Sequence, residues 1–184
     1  HGDEEIGGDA ASVLRKRVRP ESVSHVFVNF PEPPHHSGDA NAVNEFHLLT
    51  PDFFRRTHAA LVTGGGLTLF SDNHRYMRDL ARTLAELTYD PEAGDDPARA
   101  GEPLFAAEAA KPRAEERDAR GEGAAADADE KNGGASFENI EGVRLYRGVP
   151  GEGTGHLVHE QSYFDRFWEQ GARTERFFAV VSKN

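Results

Sequence analysis

The sequence contains no cysteine. That excludes disulfides, thiolate metal sites and a cysteine nucleophile, and it suits an intracellular protein, in the nucleus or the cytoplasm. There is no apolar run long enough to span a bilayer. No signal-peptide pattern opens the chain, so no membrane partner is expected. Lys and Arg are few beside Asp and Glu, 21 against 32, for a net charge of −11. That balance argues against a generic nucleic-acid binder, because neutralising phosphates takes Lys and Arg. The excess is uneven, however. Residues 91–135 hold 12 acidic and 6 basic side chains, which leaves 20 acidic and 15 basic outside them. A local basic surface is therefore compatible with the total. The length of 184 residues gives room for one domain. The first residue is His1 rather than Met, which reads as a fragment or a processed product.

The stretch that is there to organise the rest runs from Ser22 to Pro34. Val26, Phe27, Val28 and Phe30 form a short run of β-branched and aromatic residues, the pattern of a buried strand in a parallel sheet with both faces covered. It stops on Pro31-Glu32-Pro33-Pro34. Prolines lack the N–H a ladder needs and fix a stiff, extended backbone. Glu32 is thus held just past the C-terminal end of a central strand, the edge where open α/β sheets bind ligands. The plainer alternative is a proline-rich turn with a solvated glutamate.

Before that strand, Gly7-Gly8-Asp9-Ala10 looks like a strand-end turn leading into a helix that Asp9 can cap. Ala10 to Arg19 reads as a short amphipathic helix with a basic outer side, ended by Pro20. After it, His35 to Asn44 is a polar loop in which His35 and His36 lack partners at ligand spacing, so no metal is expected. Thr50 and Pro51 start a helix as N-cap and first residue. Phe53, Phe54, His58, Leu61 and Val62 recur along it, and Gly64-Gly65-Gly66 breaks it. Leu67 to Phe70 is the next strand, closing on Ser71-Asp72-Asn73. A strand, a helix and a second strand make a βαβ crossover, which delivers Glu32 and Asp72 to one edge of the sheet. Asp72 also fits as N-cap of a helix over Arg75–Leu87, whose Met77, Leu80, Ala81, Leu84 and Leu87 form a core stripe.

From Asp90 to Ser136 the composition turns to Ala, Gly, Glu, Asp, Pro and Arg, with only Leu104 and Phe105 as large apolar residues. It reads as a disordered acidic insertion over 91–136, dividing one domain into residues 1–90 and 137–184. Val143 to Tyr146 is a strand by alternation, and Gly148 to Gly155 a loop. Tyr163, Phe164, Phe167 and Trp168 suggest a short aromatic helix, and Phe177 to Val181 a last strand. His156 and His159 are three apart without further ligands and read as surface or core-edge residues.

Four of these segments, in this order, resemble the C-terminal two-thirds of the tRNA (guanine-N7) methyltransferases. Their central strand ends in Phe-Pro-Asp-Pro-Trp, here Phe30-Pro31-Glu32-Pro33-Pro34. Their next helix ends in Leu-x-x-Gly-Gly before a strand closing on Thr-Asp; here Leu61-Val62-Thr63-Gly64-Gly65 precedes Ser71-Asp72. They close with Thr-Lys-Phe-Glu, a glycine and a strand, here Ser162-Tyr163-Phe164-Asp165, Gly171 and Phe177–Val181. Their Asp-Ala at an earlier strand end is matched by Asp9-Ala10.

The resemblance implies an α/β fold, part of a Rossmann-like class I methyltransferase sheet. It implies S-adenosylmethionine as methyl donor and a tRNA guanine as acceptor. Asp9, Ala10 and Glu32 would then face the donor, with Glu32 in the place of the catalytic carboxylate. His36, Asp72, Ser162, Phe164 and Asp165 would hold the substrate. The chain departs from the family in three ways. Glu32 replaces an aspartate. The loop from His35 to Asn41, Lys/Arg/His-rich in the family, has no Lys or Arg. The donor-binding glycine loop and the acidic ribose ligand of such folds would lie upstream of His1. The 184 residues alone are thus expected to be inactive, and a non-catalytic protein partner is expected to supply basic surface. Two alternatives stand beside this: an inactive methyltransferase-like scaffold subunit, and a methyltransferase with another acceptor.

Overall fold

The structure, a computed structural model, describes residues 10–33, 48–110, 137–151, 154 and 175–184. In chain order the elements are α1 (Ala10–Lys16), β1 (Val23–Asn29), α2 (Pro51–Ala60), β2 (Leu61–Ser71) and α3 (His74–Glu86). Then come β3 (Phe105–Ala107), β4 (Phe137–Ile140), β5 (Val143–Arg147) and β6 (Phe177–Lys183). The sheet runs β1-β2-β6-β5-β4, and β3 also pairs with β6. β1 and β2 are parallel, as a crossover through α2 requires; every other pairing is antiparallel. This is a partial Rossmann-like α/β sheet.

Alternation along the strands sorts the core into two sides. Leu67, Leu69, Leu145, Ala179 and Val181 face one way, onto Phe54 of α2 and Met77, Leu80 and Leu84 of α3. Phe70, Tyr146, Phe178 and Val180 face the other way and form a smaller cluster with Val149. α2 begins as its sequence dictates: Thr50 Oγ1 accepts from the Phe53 N–H at 3.2 Å, and Pro51 fills the first turn.

Five expectations are corrected. β1 is not a strand buried on both faces. Among the described residues it pairs only with β2, so Val26 and Val28 are half-buried. Leu61 and Val62 belong to β2, not to α2, because the backbone turns extended at Leu61 (φ −68°, ψ 141°). The glycines form a bulge instead of a break. Val23 lies opposite Leu61, but His25 already lies opposite Gly66. Gly64 takes φ +73°, and a Cβ on Gly66 would fall 2.5 Å from the His25 ring. His25 in turn stacks on Phe27 at 4.2 Å and places Nε2 2.9 Å from Thr68 Oγ1.

The N-cap of α3 is Asn73, not Asp72: Asn73 Oδ1 accepts from the Tyr76 N–H at 3.0 Å. Finally, disorder does not begin at residue 91. Pro91–Ala93 and Pro97–Arg99 are 3-10 turns capped by Asp90 and Asp96, and β3 joins the sheet. Leu104 is wholly buried. Bulk composition hid this, because two anchors, Leu104 and Phe105, and two Asp-Pro caps suffice to order residues 91–110. Residues 111–136 lie outside the described residues.

At the end of the sheet where β2 begins, a polar network closes the core. Tyr89 Oη lies 3.2 Å from His58 Nε2 and donates to the Asn184 carbonyl at 3.2 Å. Arg99 covers the Tyr89 ring at 4.0 Å and donates to the same hydroxyl at 2.5 Å. Burial, helped by the Lys183 charge, pushes the His58 imidazole down to about 4.

Candidate active site

The opposite end of the sheet, where β1 and β2 finish, carries the carboxylates. Asn29 pairs with Phe70, so the segments beyond the two strands leave side by side. Phe30 donates its N–H to the Phe70 carbonyl at 2.7 Å, and its ring meets the Phe70 ring edge-on at 4.9 Å. Yet Phe30 adopts φ +47°. That left-handed conformation costs a bulky residue roughly 1–2 kcal/mol. Such strain persists only where the surroundings enforce it, and it gathers at functional turns. Here it turns the chain abruptly into Pro31-Glu32-Pro33. Glu32 is exposed between two half-buried prolines.

At the neighbouring strand end, Ser71 Oγ accepts from the Asn73 N–H at 3.2 Å and shapes the turn into α3. Capping by Asn73 leaves the Asp72 carboxylate free of that task. Neither Glu32 nor Asp72 makes a side-chain hydrogen bond or ion pair with a described residue. The α3 N-terminus, with no acidic residue in its first turn, opens on the same edge.

At the start of α3 lies an open cleft of about 230 Å³ lined by His74, Phe137, Glu138, Leu145, Arg147, Glu175 and Phe177. His74 stacks on Phe177 at 4.4 Å. Glu138 bridges helix and hairpin, with one oxygen 3.0 Å from His74 Nε2 and the other 3.0 Å from Arg78 Nε. Arg147 pairs with Glu175 at the rim. Phe137 is 46 % exposed, beneath the Arg144 guanidinium. Glu141-Gly142, both at positive φ, make the tight turn that sets β4 against β5 and so positions Phe137 and Glu138.

Of the residues singled out from sequence, Glu32 and Asp72 are brought to one edge. Ala10 opens α1 and is half-buried. Asp9, His36, Ser162, Phe164 and Asp165 lie outside the described residues, as do His35, His156, His159 and the aromatic segment around Trp168. Among the described residues no three His, Asp or Glu side chains gather as a metal site would require. No helix there is long and apolar enough to cross a membrane. Sequence reasoning missed the Phe30 conformation and the cleft. Phe30 precedes proline, which signals a restricted backbone but not its hand. The cleft joins residues 64 positions apart, His74 and Glu138, without any local pattern.

A parallel strand pair with two carboxylates at its C-terminal edge, helices packed on one face and antiparallel strands beyond it fits an α/β sheet of the methyltransferase type. The family model described as "Putative methyltransferase" matches residues 5–105, more than half of the chain. The chain belongs to this family, that of the tRNA guanine-N7 methyltransferases. No curated protein matches it.

Proposed function

We propose that this chain carries the acceptor side of an S-adenosylmethionine-dependent methyltransferase acting on N7 of a tRNA guanine. The observation that supports this most is the pair of carboxylates, Glu32 and Asp72, which have no side-chain partner among the described residues and lie on adjacent parallel strand ends within the matched family region. The donor supplies an electrophilic methyl on a sulfonium sulfur, and carboxylates suit the neighbourhood of that positive charge. N7 attacks through its lone pair and carries no proton, so no strong base is needed. The electron pair of the breaking bond stays on sulfur. What remains for the chain is positioning. The Glu32 carboxylate accepts hydrogen bonds from guanine N1–H and the exocyclic amine. The turn at Phe30 holds it there, and Asp72 lies at the neighbouring strand end.

Asp9 and Ala10 on the donor side, and His36, Ser162, Phe164 and Asp165 on the substrate side, keep the roles their matched positions suggest. The test is Glu32→Gln in the intact protein, assayed for methyl transfer from labelled donor to bulk tRNA. The amide NH₂ cannot accept, so a hydrogen bond of charged type, about 1.5–3 kcal/mol, is lost and the rate should fall about ten- to hundred-fold. Donor binding should change much less. Glu32→Asp, the family's own residue, should retain activity. A wild type that methylates no tRNA would instead support the scaffold reading, which the Lys/Arg-free loop after Pro34 favours.

A further inference from the structure

Arg15, Lys16, Arg17 and Arg19 place four cations within five residues, at the end of α1 and just beyond it. All four are exposed. None of these side chains makes an ion pair or hydrogen bond with a described residue, in a chain that has 32 carboxylates to offer. Among the described acids, Glu21, Asp52 and Asp95 already have other cations as partners: Glu21 has Lys183 at 3.2 Å, Asp52 has Arg56 at 2.6 Å and Asp95 has Arg55 at 2.5 Å. The helix dipole accounts for cations in the last turn, Arg15 and Lys16, but not for Arg17 and Arg19 beyond it.

The patch is fixed in place. Glu21 and Ser22 donate their N–H groups to the carbonyls of Ala59 and Ala60, both at 3.0 Å, which ties the segment after α1 to the end of α2. It therefore lies at the end of the sheet where β1 begins, opposite the Glu32 edge. The seven residues of β1 separate the two by about 20 Å, or about six base-pair steps of a nucleic-acid duplex. A small anion cannot reach both places, whereas an extended polyanion can. Stable anchoring to an anionic membrane takes a second signal beside the cations, such as apolar side chains that insert. The apolar side of α1, with Ala10 and Leu14, instead packs into the core, and among the described residues the exposed large apolar ones, Leu48 and Phe137, are on other segments.

We propose that Arg15, Lys16, Arg17 and Arg19 form a phosphate-backbone grip for the RNA acceptor, remote from the reacting base. It takes over the role that the family's basic loop after the proline motif lacks the residues for here. This rests on the reading of the acceptor as tRNA. Such contacts position the partner without reading its sequence.

The experiment is binding of bulk tRNA by the intact protein between 50 and 200 mM salt, for wild type and for R15Q/K16Q/R17Q/R19Q. Four phosphate contacts contribute a slope of about 2.8–3.6 in log affinity against log salt. Wild type should therefore lose about 50- to 150-fold more affinity than the variant across that range. R17Q/R19Q, which leaves the helix untouched, should remove about half of the slope. Equal slopes for wild type and both variants, with tRNA still methylated, would overturn the grip and leave the methyltransferase reading intact. A wild type that binds no tRNA would overturn both. Binding to vesicles of anionic phospholipid that is lost in the variants, with tRNA slopes unchanged, would reassign the patch to a membrane surface and overturn the proposal.

Discussion

Acidification should weaken this fold through His58, and the structure gives the size of the effect. The ring is buried between Tyr89 and Phe105, with T-shaped ring contacts at 5.4 Å to each. Its folded pKa is about 4 against the ordinary 6.5, chiefly because burial penalises the charged ring. The folded protein therefore keeps the neutral imidazole while the unfolded chain takes up a proton below pH 6.5. Above that pH both states are neutral at this site and it adds no pH dependence. Below it, stability falls by about 1.4 kcal/mol per pH unit until the folded pKa is reached, about 3 kcal/mol in all. Urea unfolding at pH 7.5, 6.0, 5.0 and 4.5 measures this for wild type and for His58→Gln. Glutamine does not titrate and still offers Tyr89 a polar partner. The carboxylates that also respond to acid are common to both proteins and cancel in the difference. The two stability curves should run parallel above pH 7 and diverge in slope below 6.5. Parallel curves down to pH 4.5 would refute the argument.

Gly66→Ala should destabilise by about 1–3 kcal/mol, since its Cβ meets the His25 ring; His25→Ala should recover much of the loss in urea midpoints. Leu104→Ala should cost about 2–5 kcal/mol in thermal or urea unfolding, whereas a disordered residue 104 would cost nothing. Phe30→Gly relieves the left-handed strain but loses the contact with Phe70. Its stability should stay within about 1 kcal/mol of wild type, while methyl transfer falls as Glu32 is held less firmly.

Much of the sheet was legible because its signals are local. Thr50-Pro51 announces α2, the Val143–Tyr146 alternation announces β5, and the two strand ends put Glu32 and Asp72 on one edge by pattern alone. The errors arose where a distant partner decides. Asp72 and Asn73 are both good caps, and only geometry assigns the task to Asn73. Three glycines suggest a break, yet pairing with β1 carries the strand through them as a bulge. The segment from 91 to 110 has too few apolar residues to look folded, but Leu104 and Phe105 find a core built by other elements. The cleft and its Glu138 bridge depend on a contact between α3 and a hairpin far along the chain, which no window of sequence contains.

The strand that joins the halves of the sheet has a kinetic consequence. β6 pairs with β2, β3 and β5, and its register sets Gly66 opposite Ser182, 116 residues later. The β4–β5 hairpin closes over two residues and α2 leads directly into β2, so those units form from near neighbours. The ladders through β6 must instead close very large loops before any contact rewards them. A sheet of such high contact order folds slowly, on the millisecond-to-second side of the scale for small domains. Until Phe177–Lys183 is seated, one edge of β2 and one edge of β5 stay open to strands of other molecules. Aggregation during refolding should therefore depend on protein concentration and be suppressed by a supplied peptide of the β6 sequence.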